Sequence, residues 1–280
     1  MQLTAENYFS READLAYMSN SQFKAFLKCP FGALAKLNEE AEEPPKLPFE
    51  FGGWVDRALL TPERLEAFEC EHYEAMQETG MLSKTNGTDN APMKTARRMV
   101  KVAAADPVFV SYLKGGHQVI LTCKIAGVPF KCALDVLNPA RIVDLKTAAS
   151  LTKEDWLDNR TIFDRMDPDA SPHMWRKALF YNCYQYDIQG AIYQYAVEYN
   201  TNARLPFFIS ALSKEPITDK EIYHFDDRVL AEKLAFVASH VPQIQRWKTG
   251  VDEAPRCGVC DYCRSTKMLS GPVEAVGVNY

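Results

Sequence analysis

One short stretch of sequence, residues 132–147, constrains the fold of this chain more than any other. Apolar and polar residues alternate along it on both sides of a turn, which predicts two consecutive β-strands. Because alternate strand residues share a face, Asp144 and Lys146 should point one way and Leu145 into the core. Asp135, on the preceding strand, can reach the same place. Two carboxylates and a lysine at one point form the arrangement that holds Mg²⁺ beside a phosphodiester.

The bulk properties predict a globular protein of one domain over residues 1–280, with a catalytic core at about 50–225. Of its 280 residues, 47% are hydrophobic, which is enough to build a sizeable core. We find no bilayer-length apolar run and no signal pattern at the N-terminus, so we expect a cytoplasmic protein that does not contact membranes. A net charge of −5 argues against coating DNA non-specifically, but not against an enzyme whose basic residues line one cleft.

Periodicity predicts a small mixed sheet flanked by helices, in the α/β or α+β class. Strands are expected over 119–125, 130–137, 141–146, 206–212 and 221–225. Helices are expected from residue 19 onwards with a division at Pro30, over 51–60, over 62–78, from the low nineties to about 105, over 173–200 and over 227–248. The densest basic run lies on the fourth of these helices and consists of Lys94, Arg97, Arg98 and Lys101. It is either a solvated helix face or a weak DNA-binding surface.

The helix predicted over 173–200 carries a second motif. Gln189 and Tyr193 are four residues apart and share a helical face, with Tyr186 three residues earlier. This pair, after the Asp135 and Asp144-Leu145-Lys146 pattern, resembles the RecB-like branch of the PD-(D/E)XK nuclease superfamily. The segments 19–30 and 51–62 are similar to those of RecE-type (exodeoxyribonuclease VIII-like) phage recombination exonucleases.

That resemblance implies a restriction-endonuclease-like core and a Mg²⁺-dependent exonuclease. Such an enzyme resects one strand of linear double-stranded DNA, in the 5′ to 3′ direction, and leaves 3′ overhangs for recombination by a single-strand annealing protein. It also implies a homo-oligomer, in the form of a ring around the DNA. No Gly-x-x-x-x-Gly-Lys-[Ser/Thr] motif is present, so any unwinding would require a partner.

The resemblance also implies roles for individual residues. Asp56, Asp135 and Asp144, with the carbonyl of Leu145, would ligate one or two Mg²⁺ (or Mn²⁺) ions. Lys146 would orient the attacking water and offset charge on the phosphate. Asp56 departs from the family pattern, since many relatives have histidine there. A carboxylate keeps a ligand suited to a hard cation but adds negative charge.

The two motif residues of the long helix complete the predicted site. Gln189 and Tyr193 would position the DNA backbone or hold Lys146 by hydrogen bonds. His173, at the start of the predicted helix, is a further candidate for contact with substrate.

Cys257, Cys260 and Cys263 form a Cys-x2-Cys-x2-Cys pattern, which indicates a metal site in a chain of this kind. Cys29 is the best candidate for a fourth ligand, which would join the two ends of the chain. An early cysteine with three late ones resembles the iron–sulfur staple of AddB-type helicase-nucleases and CRISPR-associated RecB-like nucleases. A 4Fe–4S cluster is therefore the favoured prediction, and a structural Cys₄ zinc ion is the alternative.

Two other functions compete with the exonuclease. A CRISPR-associated-type RecB-like nuclease with an iron–sulfur cluster fits the cysteine pattern equally well. A catalytically silent nucleic-acid-binding module on the same fold is possible because a fold does not guarantee activity. The intact Asp135, Asp144 and Lys146 argue against the silent module, and only Asp56 supports it.

Overall fold

The computed structural model of the chain describes residues 2–38, 44–157, 160–167, 169, 176–269 and 271. Within these residues the main sheet has five strands in the spatial order β1-β2-β3-β6-β7, and β4 and β5 form a separate two-stranded sheet. The strands are β1 (Gly116–Ile125), β2 (Val128–Asn138), β3 (Arg141–Ala148), β4 (Asp155–Leu157), β5 (Arg176–Ala178), β6 (Phe207–Ser213) and β7 (Lys220–His224).

Helices surround this sheet. They are α1 (Arg11–Ala16), α2 (Asn20–Lys28), α3 (Pro30–Leu37), α4 (Leu47–Leu60), α5 (Leu65–Glu71), α6 (Tyr73–Glu78), α7 (Ala91–Ala104), α8 (Pro107–Tyr112), α9 (Ile162–Met166), α10 (Phe180–Cys183), α11 (Tyr186–Thr201), α12 (Asp227–Lys248) and α13 (Asp261–Ser265), with a 3₁₀ turn at Pro62–Arg64. None of the helices described in this structure combines the length and the apolarity needed to cross a membrane.

The pairing of the central strands opens a gap in the sheet. β2 and β3 pair antiparallel over only three residue pairs next to their turn, from Asn138↔Arg141 to Val136↔Val143. β3 then pairs parallel with β6 over seven residue pairs, so its second half keeps only one partner strand. Beyond these three pairs, a side chain can therefore hydrogen-bond to the backbone edge of β3 that faces β2.

Two apolar cores lie on opposite faces of the sheet. Along β3, Ile142 joins the core packed by α2, α11 and α12, whereas Val143 and Leu145 join the core packed by α4 and α7. This alternation is the two-residue period of a strand. Asp144 and Lys146 therefore lie on the α11 face, and Leu145 points into the other core, as predicted.

Two buried lysines hold the N-terminal segment against the rest of the fold. Lys131 of β2 donates to the carbonyl of Tyr8 and lies 2.7 Å from a carboxylate oxygen of Asp14. Lys248, at the end of α12, donates to the carbonyl of Tyr17. Because a buried ammonium group needs partners, these bonds stabilise α1 and α2 where they form one wall of a cleft.

The sequence predicted the class of fold correctly, and two helix predictions were wrong in detail. The division at Pro30 is confirmed, because α2 ends at Lys28 and α3 begins at Pro30. The helix predicted over 173–200 begins only at Tyr186, because Gln185 adopts a left-handed conformation with φ 52°. His173 lies outside the described residues. The helix predicted over 62–78 is a 3₁₀ turn followed by α5 and α6.

Candidate active site and cysteine cluster

A cleft of about 1300 Å³ opens between the N-terminal helices, α4, the centre of the sheet and the start of α11. Its lining includes Asp56, Asp135, Lys146, Gln189 and Tyr193. The structure therefore brings together, at one cleft, predicted site residues from α4, β2, β3 and α11.

Asp144 is the most buried acid of the site. Its Oδ1 accepts a hydrogen bond of 2.7 Å from Nε2 of Gln189, and its Oδ2 lies 2.5 Å from Nζ of Lys146. That second oxygen is buried and makes no hydrogen bond of acceptable geometry. Asp144 is thus held on one side by a neutral donor and faces a cation on the other.

Asp135 occupies the gap between β2 and β3. Its Oδ2 accepts a hydrogen bond of 2.9 Å from the backbone N–H of Leu145, in place of the missing ladder bond. Because the N–H and C=O of one strand residue point to the same side, the carbonyl of Leu145 also faces this edge. A carboxylate can enter the sheet here because the pairing of β2 with β3 ends just before this point.

Asp56 approaches the other two acids from α4. Its Oδ2 accepts from Nη1 of Arg57 at 2.9 Å and from Nε2 of Gln118 at 3.1 Å. The same Nε2 lies 3.4 Å from Oδ1 of Asp135, so Gln118 joins the two carboxylates. Gln118 was not among the site residues predicted from the sequence. The strand register places it opposite Asp135 in the β1–β2 hairpin, between the pairs His117↔Val136 and Val119↔Leu134.

The charges of the site are strongly coupled. Burial, and then the charges of Asp144 and Asp56, raise the pKa of Asp135 well above its ordinary value. Burial also raises the pKa of Asp56. Burial alone would lower the pKa of Lys146, but Asp144 and Asp135 outweigh it and raise the pKa. Three crowded carboxylates with one ammonium group carry excess negative charge, which a bound cation would relieve.

The donor set fits a hard divalent cation. Carboxylate oxygens of Asp56, Asp135 and Asp144 and the carbonyl of Leu145 are the ligand types that Mg²⁺ and Mn²⁺ prefer. The buried Oδ2 of Asp144 faces the ammonium group of Lys146 at 2.5 Å. The residues present therefore suit such an ion.

Two tyrosines of α11 line the cleft, and one of them lies beside the ammonium group of Lys146. Its Nζ lies 5.2 Å from the ring centroid of Tyr186, and burial raises the pKa of that phenol to about 12. Tyr193 is buried with its ring edge-on to Phe207, and burial raises its pKa well above the ordinary value. The hydrogen bond of Gln189 goes to Asp144. Among the described contacts, Lys146 meets α11 at the ring of Tyr186.

The basic run of α7 lies elsewhere. Arg97 pairs with Asp89 at 2.6 Å, and Arg98 donates to the carbonyl of Glu215 at 2.9 Å. Lys94 and Lys101 are exposed. None of these four residues belongs to the lining of the cleft as the structure describes it.

The four predicted cysteine ligands meet at one point. The Sγ atoms of Cys29, Cys257, Cys260 and Cys263 all lie within 4.8 Å of one another. Cys29 Sγ is 3.5 Å from Cys263 Sγ and 3.7 Å from Cys260 Sγ. Cys29 lies between α2 and α3 and Cys263 on α13, so the cluster joins the N-terminal helices to the C-terminal segment.

The sulfur spacing can be compared with the geometry of the two predicted metal groups. Thiolates about 2.3 Å from one tetrahedral zinc ion stand about 3.8 Å from each other. The separations of 3.5, 3.7 and 3.9 Å match that geometry. In a 4Fe–4S cluster each thiolate binds a different iron, so the cube stands between the sulfurs and holds them farther apart. The four sulfurs are therefore close enough together to bind a metal as one group.

Comparison with known proteins identifies the family to which the chain belongs. Residues 19–266 match the family model described as "PDDEXK-like domain of unknown function (DUF3799)". The crystal structure of a "Putative exonuclease" from Eubacterium rectale has 33% sequence identity and a TM-score of 0.84, covering 98% of this chain and 97% of that one. A search of the curated proteins found no match. The match over residues 19–266 shows that the chain belongs to this family of PDDEXK-like domains.

Proposed function

We propose that this protein is a divalent-metal-dependent DNA exonuclease that acts at the ends of linear double-stranded DNA. It resects one strand in the 5′ to 3′ direction and leaves a 3′ overhang for a single-strand annealing protein. The observation that carries the proposal is the convergence of Asp56, Asp135 and Lys146 in one cleft, with Asp144 buried directly behind Lys146. The name of the Eubacterium rectale relative supports the exonuclease class.

The chain's own residues divide the work of phosphodiester hydrolysis. Asp56, Asp135, Asp144 and the carbonyl of Leu145 would hold Mg²⁺ or Mn²⁺, and the bound ion polarises the phosphate and lowers the pKa of water. Lys146, held by Asp144, is placed to donate hydrogen bonds to the attacking water and to the phosphate oxygens.

The residues around these groups keep them in place. Gln189 fixes the orientation of Asp144 through its 2.7 Å hydrogen bond. Tyr186 closes the site beside Lys146 with a ring that excludes water from one side of the ammonium group. Each of the reacting groups is therefore fixed before substrate enters, which reduces the entropy lost in reaching the transition state.

The activity is tested with linear duplex DNA labelled separately at each 5′ end. We expect Mg²⁺-dependent loss of one strand from the linear substrate, none in EDTA, and none on a covalently closed circle. The timing of label release from each end gives the polarity. Cleavage of the closed circle would contradict the exonuclease class. No cleavage of any substrate by metal-loaded protein would contradict the enzyme itself.

We also propose that the active form is a homo-oligomeric ring in the cytoplasm. The proposal rests on the resemblance to ring-forming resection nucleases and on the concentration of positive charge in one cleft of an acidic chain. Light scattering on the free protein tests it. We expect a mass several times that of one chain, and a monomer at working concentration would contradict it.

For the cysteine cluster we propose one structural zinc ion in place of the predicted 4Fe–4S cluster. Three sulfur separations of 3.5, 3.7 and 3.9 Å support it, because thiolates around one tetrahedral zinc ion stand about 3.8 Å apart. Metal and sulfide analysis of anaerobically purified protein tests it. We expect one zinc per chain, lost in Cys29→Ser and kept in Cys70→Ser, which changes an exposed cysteine outside the cluster. Four irons and four sulfides per chain, with broad visible absorbance, would contradict it.

A further inference from the structure

Exposed aromatic side chains lie along the rim of the candidate active-site cleft. The side chains of Phe9, Phe49 and Tyr184 are 78%, 68% and 60% exposed, and all three line the cleft. They come from separate parts of the chain: Phe9 precedes α1, Phe49 lies in the first turn of α4, and Tyr184 lies between α10 and α11. Rings that converge on one opening from three elements are not explained by the packing of any single helix.

One of these rings leads directly to the reacting groups. Tyr184 stacks on Tyr186 with ring centroids 5.8 Å apart and planes inclined by 24°. The ring of Tyr186 in turn lies 5.2 Å from Nζ of Lys146. Lys24 donates to the carbonyl of Tyr184 and fixes the backbone at this point. An aromatic path therefore runs from the rim to the lysine of the site.

The cleft is positive although the chain is acidic. Its lining contains seven basic side chains and three aspartates among the described residues, an excess of four positive charges, whereas the whole chain has a net charge of −5. The basic residues are Arg11, Lys24, Lys36, Arg57, Lys131, Lys146 and Lys214. Of the three acids, Asp14 pairs with Lys131, and Asp56 and Asp135 are candidate metal ligands. Such a surface attracts a polyanion.

We propose that the rim rings of Phe9, Phe49 and Tyr184 stack on unpaired bases, so that the cleft receives the strand to be cut as a single strand. Bases inside a duplex already stack on each other, so beyond the outer face of the last base pair an exposed ring can cover only a base face that strand separation has freed. Aromatic rings beside a basic groove are the general means of binding single-stranded nucleic acid. This inference rests on the proposed function and adds the form of its substrate.

The test compares two oligonucleotides with the same backbone charge. One carries bases throughout, and the other carries abasic sites along the segment that occupies the cleft. Affinity is measured by fluorescence anisotropy with Ca²⁺ in place of Mg²⁺ to suppress cleavage. We expect wild-type protein to bind the base-bearing strand at least about tenfold more tightly.

Variants connect that preference to the rim. Phe49→Ala and Tyr184→Ala should each bring the affinity ratio towards one, whereas Phe49→Trp should keep it. Tyr199→Ala is the matched control, because Tyr199 is 52% exposed on α11 but does not line the cleft. Thermal melting of each variant confirms that it is folded.

Each remaining outcome has a distinct meaning. Equal affinity of wild-type protein for the two strands overturns base stacking but leaves the nuclease intact, because the duplex digestion is measured separately. Rim variants that keep the ratio but change the oligomeric mass overturn the proposal in favour of a second copy of the chain on the rim. Failure to bind either strand, together with failure to digest duplex, would contradict the proposed function itself.

Discussion

At the scale of single residues, the carboxamide of Gln189 sets the chemistry of Asp144. It donates from Nε2 to Oδ1, so the amide must keep a donor on that side. We predict that Gln189→Glu changes the Mg²⁺ concentration needed for half-maximal activity about 10–100-fold, the usual effect of disturbing a group that orients a metal ligand. The replacement puts a second carboxylate against Asp144.

The control for this prediction lies on the same helix. Gln194 is equally buried but donates to the carbonyl of Leu205 and to Asp227, away from the cleft. Gln194→Leu should lower the melting temperature without changing the Mg²⁺ concentration needed for half-maximal activity. Equal effects of both variants on that concentration would contradict a specific role for Gln189.

The carboxylate of Asp56 leads to a prediction about metal preference. Asp56 is one of three oxygen-donor acids that share the site. Imidazole is a softer ligand and suits Mn²⁺ better than Mg²⁺. We predict that Asp56→His keeps activity in Mn²⁺ and loses about tenfold or more in Mg²⁺. The ratio of the two rates measures this, and an unchanged ratio would show that Asp56 does not bind the ion.

The sequence predicted some site residues and missed others for a physical reason. Asp135, Asp144 and Lys146 were found because strand periodicity alone puts two of them on one face. Gln118 was missed because its role depends on cross-strand register and on a left-handed backbone conformation, with φ 51°. Strand register is not visible in a short stretch of sequence. A left-handed conformation is not expected at a glutamine, because residues other than glycine seldom adopt it.

At the scale of elements, the close packing of α11 on β6 positions Gln189 and Tyr193. A Cβ added at Gly190 would lie 2.4 Å from Cδ1 of Phe207, so only glycine permits this approach. We predict that Gly190→Ala lowers the free energy of unfolding by about 1–3 kcal/mol and also reduces kcat, because the helix must move outward with both site residues.

A second glycine provides the control for helix propensity. A Cβ added at Gly52 in α4 would meet no atom within 4 Å. Gly52→Ala should raise the free energy of unfolding by about 0.5–1 kcal/mol. Denaturant unfolding of both variants measures the difference. Stabilisation by Gly190→Ala would contradict the close packing.

The start of α11 shows where pattern reasoning failed. The residues before it are rich in aromatic side chains and fit a helical period, yet β5, α10 and a left-handed Gln185 intervene. Tertiary contacts override the period there, because Phe180 and Tyr181 pack their rings against Tyr223 of β7. Long-range packing of this kind cannot be deduced from local periodicity.

At the scale of the whole molecule, the distribution of charge separates the cleft from the rest of the surface. The basic run of α7 was predicted from the sequence because its four residues lie close together along the chain. The residues that make the cleft positive are scattered from Arg11 to Lys214, and only the fold assembles them. The predicted mixed sheet and the three late cysteines follow from local strand patterning and cysteine spacing, whereas Cys29 lies far away along the chain and only the fold brings it to them.

Lys248, which joins the end of α12 to the N-terminal segment, makes the stability of the protein depend on pH. Burial lowers the pKa of Lys248 to about 8 in the folded protein, from an ordinary value of 10.5. Between these two pH values the unfolded chain binds more protons, so stability rises with pH. We predict that the unfolding free energy of wild type, measured relative to that of Lys248→Met, rises by about 2 kcal/mol from pH 8 to pH 10.5. A difference that stays constant or shrinks would contradict it.

The central claim is that hydrolysis occurs at the acids beside Lys146, and single-turnover cleavage of a labelled DNA strand in Mg²⁺ tests it most directly. Lys146→Met removes the ammonium group 2.5 Å from Asp144, whereas Lys214→Met removes a cleft lysine that packs over Phe51. We expect Lys146→Met to cut about 10²–10⁴-fold more slowly than wild type with DNA binding in Ca²⁺ retained. Lys214→Met should cut at nearly the wild-type rate. Cleavage by Lys146→Met at the wild-type rate would contradict this assignment of the active site.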